Sequence, residues 1–364
     1  EGDSHQRERK LLMPPFHGDK MRAYGQTICQ LTEQVFNLLT PGTTFSARSV
    51  VQEISIEIIL KVIFGIYEEK RFQKLKQLMT KFLDSFTSPL ISGLLFFPFL
   101  RKDLGTWSPW GYFRRLYQEI DQLLYAEISD RRLQYDPTRT DILTLLLSAR
   151  DENGQGMNDQ QLHDELITLL IAGHETTATA ISWALYWIHK YPEVREKLLQ
   201  ELDTLSDAPE AMSIFKLPYL TAVCNESLRI YPVTLLTVPR EVKEPVELMD
   251  YHLELGTRVY GCIYLTHHRE DLYPQPKQFK PERFLEKQYT PYEFLPFGGG
   301  SRRCIGEALA IFEMKLVLAT ILSNYQLSLA DKQAVKPQRR GVTIVPSSGV
   351  KMVLKEKRQR GKER

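Results

Sequence analysis

Apolar positions recur at helical spacing along most of the chain, and the longest such run is residues 158–191. Its middle, 166–188, is nearly all apolar, the pattern of a helix buried on every side. Asn158 with Gln161 forms a capping-box start, and Pro192 stops the run. At 1.5 Å per residue such a helix is about 50 Å long, enough to cross a whole domain. Shorter amphipathic patterns predict helices at 3–13 (closed by Pro14 and Pro15), 22–39, 49–64, 71–88, 112–133 and 217–231. Another begins after Gly306, with Ala308, Leu309, Ile311, Phe312 and Leu316 on its apolar positions. Residues 89–99 are rich in aromatics and broken by prolines, with Trp107 and Trp110 following. Such a stretch is either core or an apolar lid between two helices, and the lid is the preferred reading. After Pro232 the pattern is extended, and short strands are expected near 246–249, 252–255 and 258–263, with a hairpin around 346–349. The expected fold class is therefore mainly α with small β-sheets.

Composition narrows the function without naming it. The chain has 364 residues, 43% hydrophobic and 25% charged, ordinary for a globular protein with a large core. No Gly/Ser linker, repeat or low-complexity tract divides it, so one domain over 1–364 is expected, with a basic tail at 355–364. A net charge of +2 argues against a nucleic-acid binder. The four cysteines, Cys29, Cys224, Cys262 and Cys304, show no metal or disulfide spacing, which fits a reducing, cytoplasmic setting. The most apolar run, 89–100, is shorter than the roughly 20 residues that span a bilayer.

The chemistry concentrates in Phe297-Gly298-Gly299-Gly300-Ser301-Arg302-Arg303-Cys304-Ile305-Gly306. Cys304 stands just before a predicted helix N-terminus, where free amides and the dipole favour a thiolate. The glycines allow close approach of the backbone to a flat partner. Gly306 leaves room beside the sulfur. Arg302 offers a planar fork suited to a carboxylate. A thiolate, close backbone and a carboxylate-binding arginine together point to a haem held by sulfur, with its propionates on arginine.

In the long helix, Ala172-Gly173-His174-Glu175-Thr176-Thr177 interrupts the apolar run. A buried acid needs a partner or a task. Thr176 can bond back to the Ala172 carbonyl, opening the helix to a water, with Gly173 easing the distortion. Read alone, a salt-bridged Glu175 is the bland alternative. Glu226 and Arg229 stand at ion-pair spacing on 217–231.

The cysteine stretch resembles the haem-binding loop of the cytochrome P450 family, Phe-x-x-Gly-x-Arg-x-Cys-x-Gly, at Phe297, Gly300, Arg302, Cys304 and Gly306. The resemblance extends from residue 1 to about 355. It implies a haem b with Cys304 as the axial ligand, and Glu175 and Thr176 as the family's oxygen-activating acid–alcohol pair. It makes residues 3–13 the helix on the haem's proximal side, with His5 and Arg9 reaching a propionate. His5 stands where many members carry Trp. Arg240 would be a further propionate partner, and Val233, Thr234, Leu235 and Leu236 would face the substrate. Glu226 and Arg229, closed by Arg283 of Pro281-Glu282-Arg283-Phe284, would clamp the haem loop.

The implied activity is a haem-thiolate monooxygenase that inserts one oxygen atom of O2 into a C–H bond of a lipophilic substrate, a fatty acid or alkane-like chain. The overall pattern looks closer to fatty-acid-oxidising and microsomal-like members. The rivals are a peroxide-driven peroxygenase, against which Glu175 and Thr176 argue, and an inactive haem-binding fragment. The family carries further N-terminal elements, so a truncated member is expected. With no flavin or iron–sulfur motif, electrons are expected from a ferredoxin or a flavodoxin-like reductase. Arg7, Lys10 and Arg303 would attract it, and the 89–99 lid would touch a membrane surface peripherally.

Overall fold

The helix α7, Asp159–Lys190, is the axis on which the other elements are laid. The computed structural model describes residues 2–16, 18–85, 105, 108–331 and 333–358. The Asn158 side chain accepts the Gln161 amide at 2.9 Å, and Gln161 accepts the Asn158 amide in return at 3.1 Å, closing the predicted capping box. From Thr177 to Ile188 every residue of α7 is buried.

Before α7 come α1 (Asp3–Leu12), α2 (Asp19–Asn37), β1 (Thr44–Ser46), α3 (Ala47–Ile58), α4 (Glu69–Ser85), α5 (Pro109–Leu133) and α6 (Ile142–Ser148). The Ser46 hydroxyl caps α3, accepting the Ser49 amide, and α3 runs on into a π-helical turn, Ile59–Ile63. After α7 come α8 (Pro192–Leu202), α9 (Ala211–Phe215), α10 (Pro218–Ile230), α11 (Ile263–His267), α12 (Arg283–Glu286) and α13 (Glu307–Asn324). α2, α3, α7 and α13 pack against one another, and α13 is buried along almost its whole length. One apolar cluster joins their inner faces, with Trp183, Phe36, Phe64 and Phe312 among its largest members. Gly25 is needed there: a Cβ on it would lie 2.2 Å from the Ala211 Cβ.

The sheets are small and antiparallel. β9 (Lys351–Lys357) lies between β1 and β6 (Tyr325–Leu329), with Phe45 opposite Met352 and Leu327 opposite Leu354. β2 (Arg240–Glu241) pairs with β5 (Arg258–Val259), β3 (Val246–Leu248) with β4 (Tyr251–Leu253), and β7 (Pro337–Arg340) with β8 (Thr343–Pro346).

The predicted helices are all found within a few residues of their expected ends, except that 86–88 lie outside the described residues. The 89–99 lid and Trp107 lie outside them too. Two expectations fail. The 346–349 turn does not join a hairpin: β8 folds back on β7 while β9 pairs with β1 and β6. The turn therefore passes the chain from one sheet to another. The 258–263 strand ends at Val259: past it only isolated bonds, such as the Leu236–Cys262 bridge, reach the 235–237 segment, and Ile263 starts α11. Helices α6 and α8 are additions, too short or too charged for their periodicity to stand out.

Candidate functional site

The chain between α12 and α13 forms the cysteine loop. Gly298 and Gly300 adopt φ of 71° and 68°, the left-handed region that glycine enters without strain, whereas Gly299 is extended. A Cβ added at any of the three would meet nothing within 4 Å, so this backbone presents an open surface. The Cys304 amide donates to the Phe297 carbonyl at 3.0 Å, closing the loop, while Phe297 packs on the core. α13 begins at Glu307 behind its cap Gly306, which puts Cys304 just before a helix N-terminus. Cys304 is exposed as a residue, though atoms packed around it keep water from much of its thiol, and a Cβ on Gly306 would stand 4.0 Å from the sulfur, at ordinary contact distance.

The helix terminus acts on that sulfur in the expected direction, but burial acts against it. Burial in the cradle pushes the Cys304 thiol up; the Gly306 and Glu307 amides and Arg9 pull it down but do not reverse the shift.

α1 carries the cations. Burial lowers the His5 imidazole, and the nearby Arg302 and Arg9 charges lower it further. Arg9 and Arg302 thus act together on a His5 they keep neutral, and Arg9 also acts on Cys304. Neither Arg9 nor Arg302 has a carboxylate partner among the described residues. A cysteine sulfur with two amides on it, a glycine surface and two arginines without a carboxylate partner fit a flat, dianionic, metal-bearing group. Arg240 stands apart: exposed, it donates to the Val238 carbonyl at 3.2 Å. The expected docking charges are not free. Arg7 pairs with Asp151 at 2.5 Å, Lys10 with Glu152 at 2.7 Å, and Arg303 forks onto Glu307 at 2.6 Å.

On α7, the otherwise buried helix opens one face at Thr168, Ile171 and Ala172, beside half-buried Glu175 and Thr176. The Thr176 hydroxyl donates to the Ala172 carbonyl at 2.5 Å, as expected, but α7 stays α-helical throughout, so no helix opening accompanies it. Gly173 instead faces the π-turn, where an added Cβ would lie 3.6 Å from the Ile59 Cδ1. Glu175 is held from α3: one oxygen is ion-paired with Arg48, and the other accepts the Gln52 amide at 2.8 Å. Arg48 and Gln52 were not foreseen. Their one sequence signal is a polar pair four residues apart on one face of an amphipathic helix.

Glu226, Arg229 and Arg283 meet in the interior. Arg229 donates twice to Glu226, at 2.6 and 2.8 Å, and Arg283 once at 3.1 Å. The Lys280 amide also reaches Glu226, at 2.8 Å. Their remaining donors hold the carbonyls of His267, Gln278 and Pro274. The clamp thereby pins the proline-rich coil that leads to the cysteine loop.

Comparison with known proteins gives one answer at three levels. The matching family description is Cytochrome P450, over residues 1–353. Cytochrome P450 135B1 of Mycobacterium tuberculosis is 36% identical over 357 residues, which cover 98% of this chain and 73% of that protein. Cytochrome P450 137 of the same organism is 32% identical over 355 residues, covering 97% and 71%. A solved structure described as retinoic acid bound cyanobacterial CYP120A1 superposes with a TM-score of 0.83 and 25% identity, covering 97% of this chain and 79% of that one.

Proposed function

The chain belongs to the cytochrome P450 family, a monooxygenase family that uses haem with a cysteine thiolate as axial ligand, and from that premise we propose a substrate class and a division of roles. The substrate is lipophilic, a fatty acid or an alkane-like chain, and is oxidised at an unactivated C–H bond. The observation that carries this is the open face of α7. Ile171 and Ala172 are exposed in the middle of a buried helix, directly beside Thr176. An apolar wall next to a hydroxyl suits a substrate that offers no polar group to hold. The similar structure's retinoic acid, a lipophilic acid, supports the same class.

Cys304 is the proposed iron ligand, with Arg9, Arg302 and His5 holding the propionates and Phe297, Gly300 and Gly306 shaping the cradle. When bound, haem supplies the oxidising power; the chain supplies ligation, placement and protons. The Gly306 and Glu307 amides stabilise negative charge on the sulfur. Burial opposes that charge, and a bound iron would favour the ionised sulfur.

Thr176 and Glu175 are the proposed proton path. The Thr176 proton is engaged by the Ala172 carbonyl, so its hydroxyl must turn before it can donate elsewhere. Glu175 must exchange its bonds to Arg48 and Gln52 before it can serve Thr176. Arg240, which faces its own strand, is the propionate partner with least support.

Electrons come from a separate protein, for which a ferredoxin or a flavodoxin-like reductase is proposed. Lys10 and Arg303 are exposed, but each brings a counter-charge, so their pull on an acidic carrier is weakened. No described helix is long and apolar enough to cross a membrane. Cytoplasmic residence is proposed from the four free thiols.

Titration of the haem-loaded protein with long-chain fatty acids and alkanes, followed by its Soret shift, tests the substrate class. Saturable binding to these, with product formed under a reducing system, is expected. Binding confined to small polar compounds would overturn it.

A further inference from the structure

His267 takes no part in the roles above, yet it is fully buried between the clamp and the cysteine loop. It is the last residue of α11. Its carbonyl accepts Arg229 Nη1 at 2.8 Å, which ties its backbone to Glu226 and Arg283. Its ring Nε2 lies 3.0 Å from the Leu295 amide nitrogen, which can only donate. Nε2 must therefore be the acceptor, and the ring proton sits on Nδ1. That Nδ1 is buried with no partner among the described residues. An orphaned buried donor is unfavourable, so the ring is kept in this tautomer against a local penalty.

The ring is also stacked on Phe294, 5.4 Å between centroids, with Tyr273 edge-on at 6.2 Å. Beyond Leu295 the loop is closed by two more backbone hydrogen bonds: the Gly298 amide donates to the Leu295 carbonyl at 3.0 Å, and the Cys304 amide to that of Phe297 at 3.0 Å. Burial and the Arg229 charge hold the imidazole down to about 3, so the acceptor persists through the whole physiological range.

We propose that His267 is a positioning residue for the cysteine ligand: one residue couples the buried Glu226–Arg229–Arg283 clamp, through its carbonyl, to the Cys304 loop, through its Nε2. This rests on the reading of Cys304 as the iron ligand. The clamp by itself grips the coil before residue 284. The His267 ring carries that grip to Leu295, nine residues before the sulfur, alongside Tyr273, whose ring lies against Arg229 and whose hydroxyl donates to the Glu293 carbonyl at 2.9 Å. Without the acceptor, the half-buried Leu295 amide would seek another partner, and the loop would hold Cys304 less firmly in place.

The test compares His267→Leu, which keeps bulk and loses the acceptor, with His267→Gln, whose amide oxygen reaches about as far as Nε2. Two readouts are taken. The first is the ratio of thiolate-ligated to neutral-ligated haem in the carbon-monoxide-bound ferrous spectrum. The second is hydrogen exchange of the 294–304 backbone in haem-free protein. His267→Leu should lower the thiolate ratio and speed the exchange by about 3- to 10-fold, the worth of one hydrogen bond. His267→Gln should restore both.

A wild-type ratio in His267→Leu would overturn the proposal. So would a His267→Gln variant as impaired as His267→Leu, since ring packing on Phe294 would then be what matters. If His267→Leu does not fold, Asn replaces it, because its oxygen stops short of Leu295; equal ratios for Asn and Gln would overturn the proposal. A wild-type protein without the thiolate band would sink the Cys304 reading instead. The exchange arm then decides on its own, with unchanged exchange counting against His267.

Discussion

Replacing Glu313 by Gln should change how stability depends on pH. Glu313 lies in α13, 3% exposed. Burial pushes its carboxyl from the ordinary 4.5 up to about 8, and the neighbouring Ser55 hydroxyl of α3 offsets only part of this. One carboxyl oxygen, Oε1, has no hydrogen-bond partner among the described residues. The folded protein therefore holds this proton in a range where the unfolded chain has released it. Because the folded value is the raised one, stability is lost as pH rises from about 4.5 to about 8 and levels off above that. The 3.5-unit gap, at about 1.36 kcal/mol per unit, bounds the loss at about 5 kcal/mol, of which roughly half remains to be lost between pH 6 and 8. Glu313→Gln removes the titration and keeps the shape. Unfolding midpoints in urea, measured from pH 5 to 8 on both proteins, should diverge, with the variant gaining on the wild type as pH rises. Parallel curves would mean that Glu313 ionises normally and that the argument from its burial is wrong.

Three other outcomes follow from the site. Cys304→His should abolish the red-shifted thiolate Soret band of the carbon-monoxide complex, and its survival would remove Cys304 as the ligand. Thr176→Ala should lower product formed per O2 consumed, with a rate loss of about 10²–10⁴-fold in the productive channel; unchanged coupling would take Thr176 out of the proton path. Glu226→Gln leaves two buried arginines without their charge partner and should destabilise by about 3–5 kcal/mol, read as a fall in thermal midpoint together with poorer haem retention. A variant as stable as the wild type would show that the carbonyls around Arg229 and Arg283 suffice.

Local patterns were enough to read α7 with its capping box, the glycines before Cys304, and Glu226 with Arg229 three residues on, because spacing along the chain sets each of them. The same is true of the Thr176 bond to Ala172, four residues back in one helix. Contacts between distant segments were another matter. Glu175 meets Arg48 across 127 residues, and Leu295 meets the His267 ring across 28. The 346–349 turn joins two sheets although its residues suit a hairpin. Periodicity reports which face of an element is apolar, and turn residues report where the chain reverses; neither names the partner. Partners are chosen by how α2, α3, α7 and α13 pack, and that packing also decides that Glu313 loses water and keeps its proton while Glu175, an acid of the same type, keeps a cation. Two glutamates identical in the sequence become a neutral group and an ion pair because desolvation and partner charge exist only after the helices have closed on them.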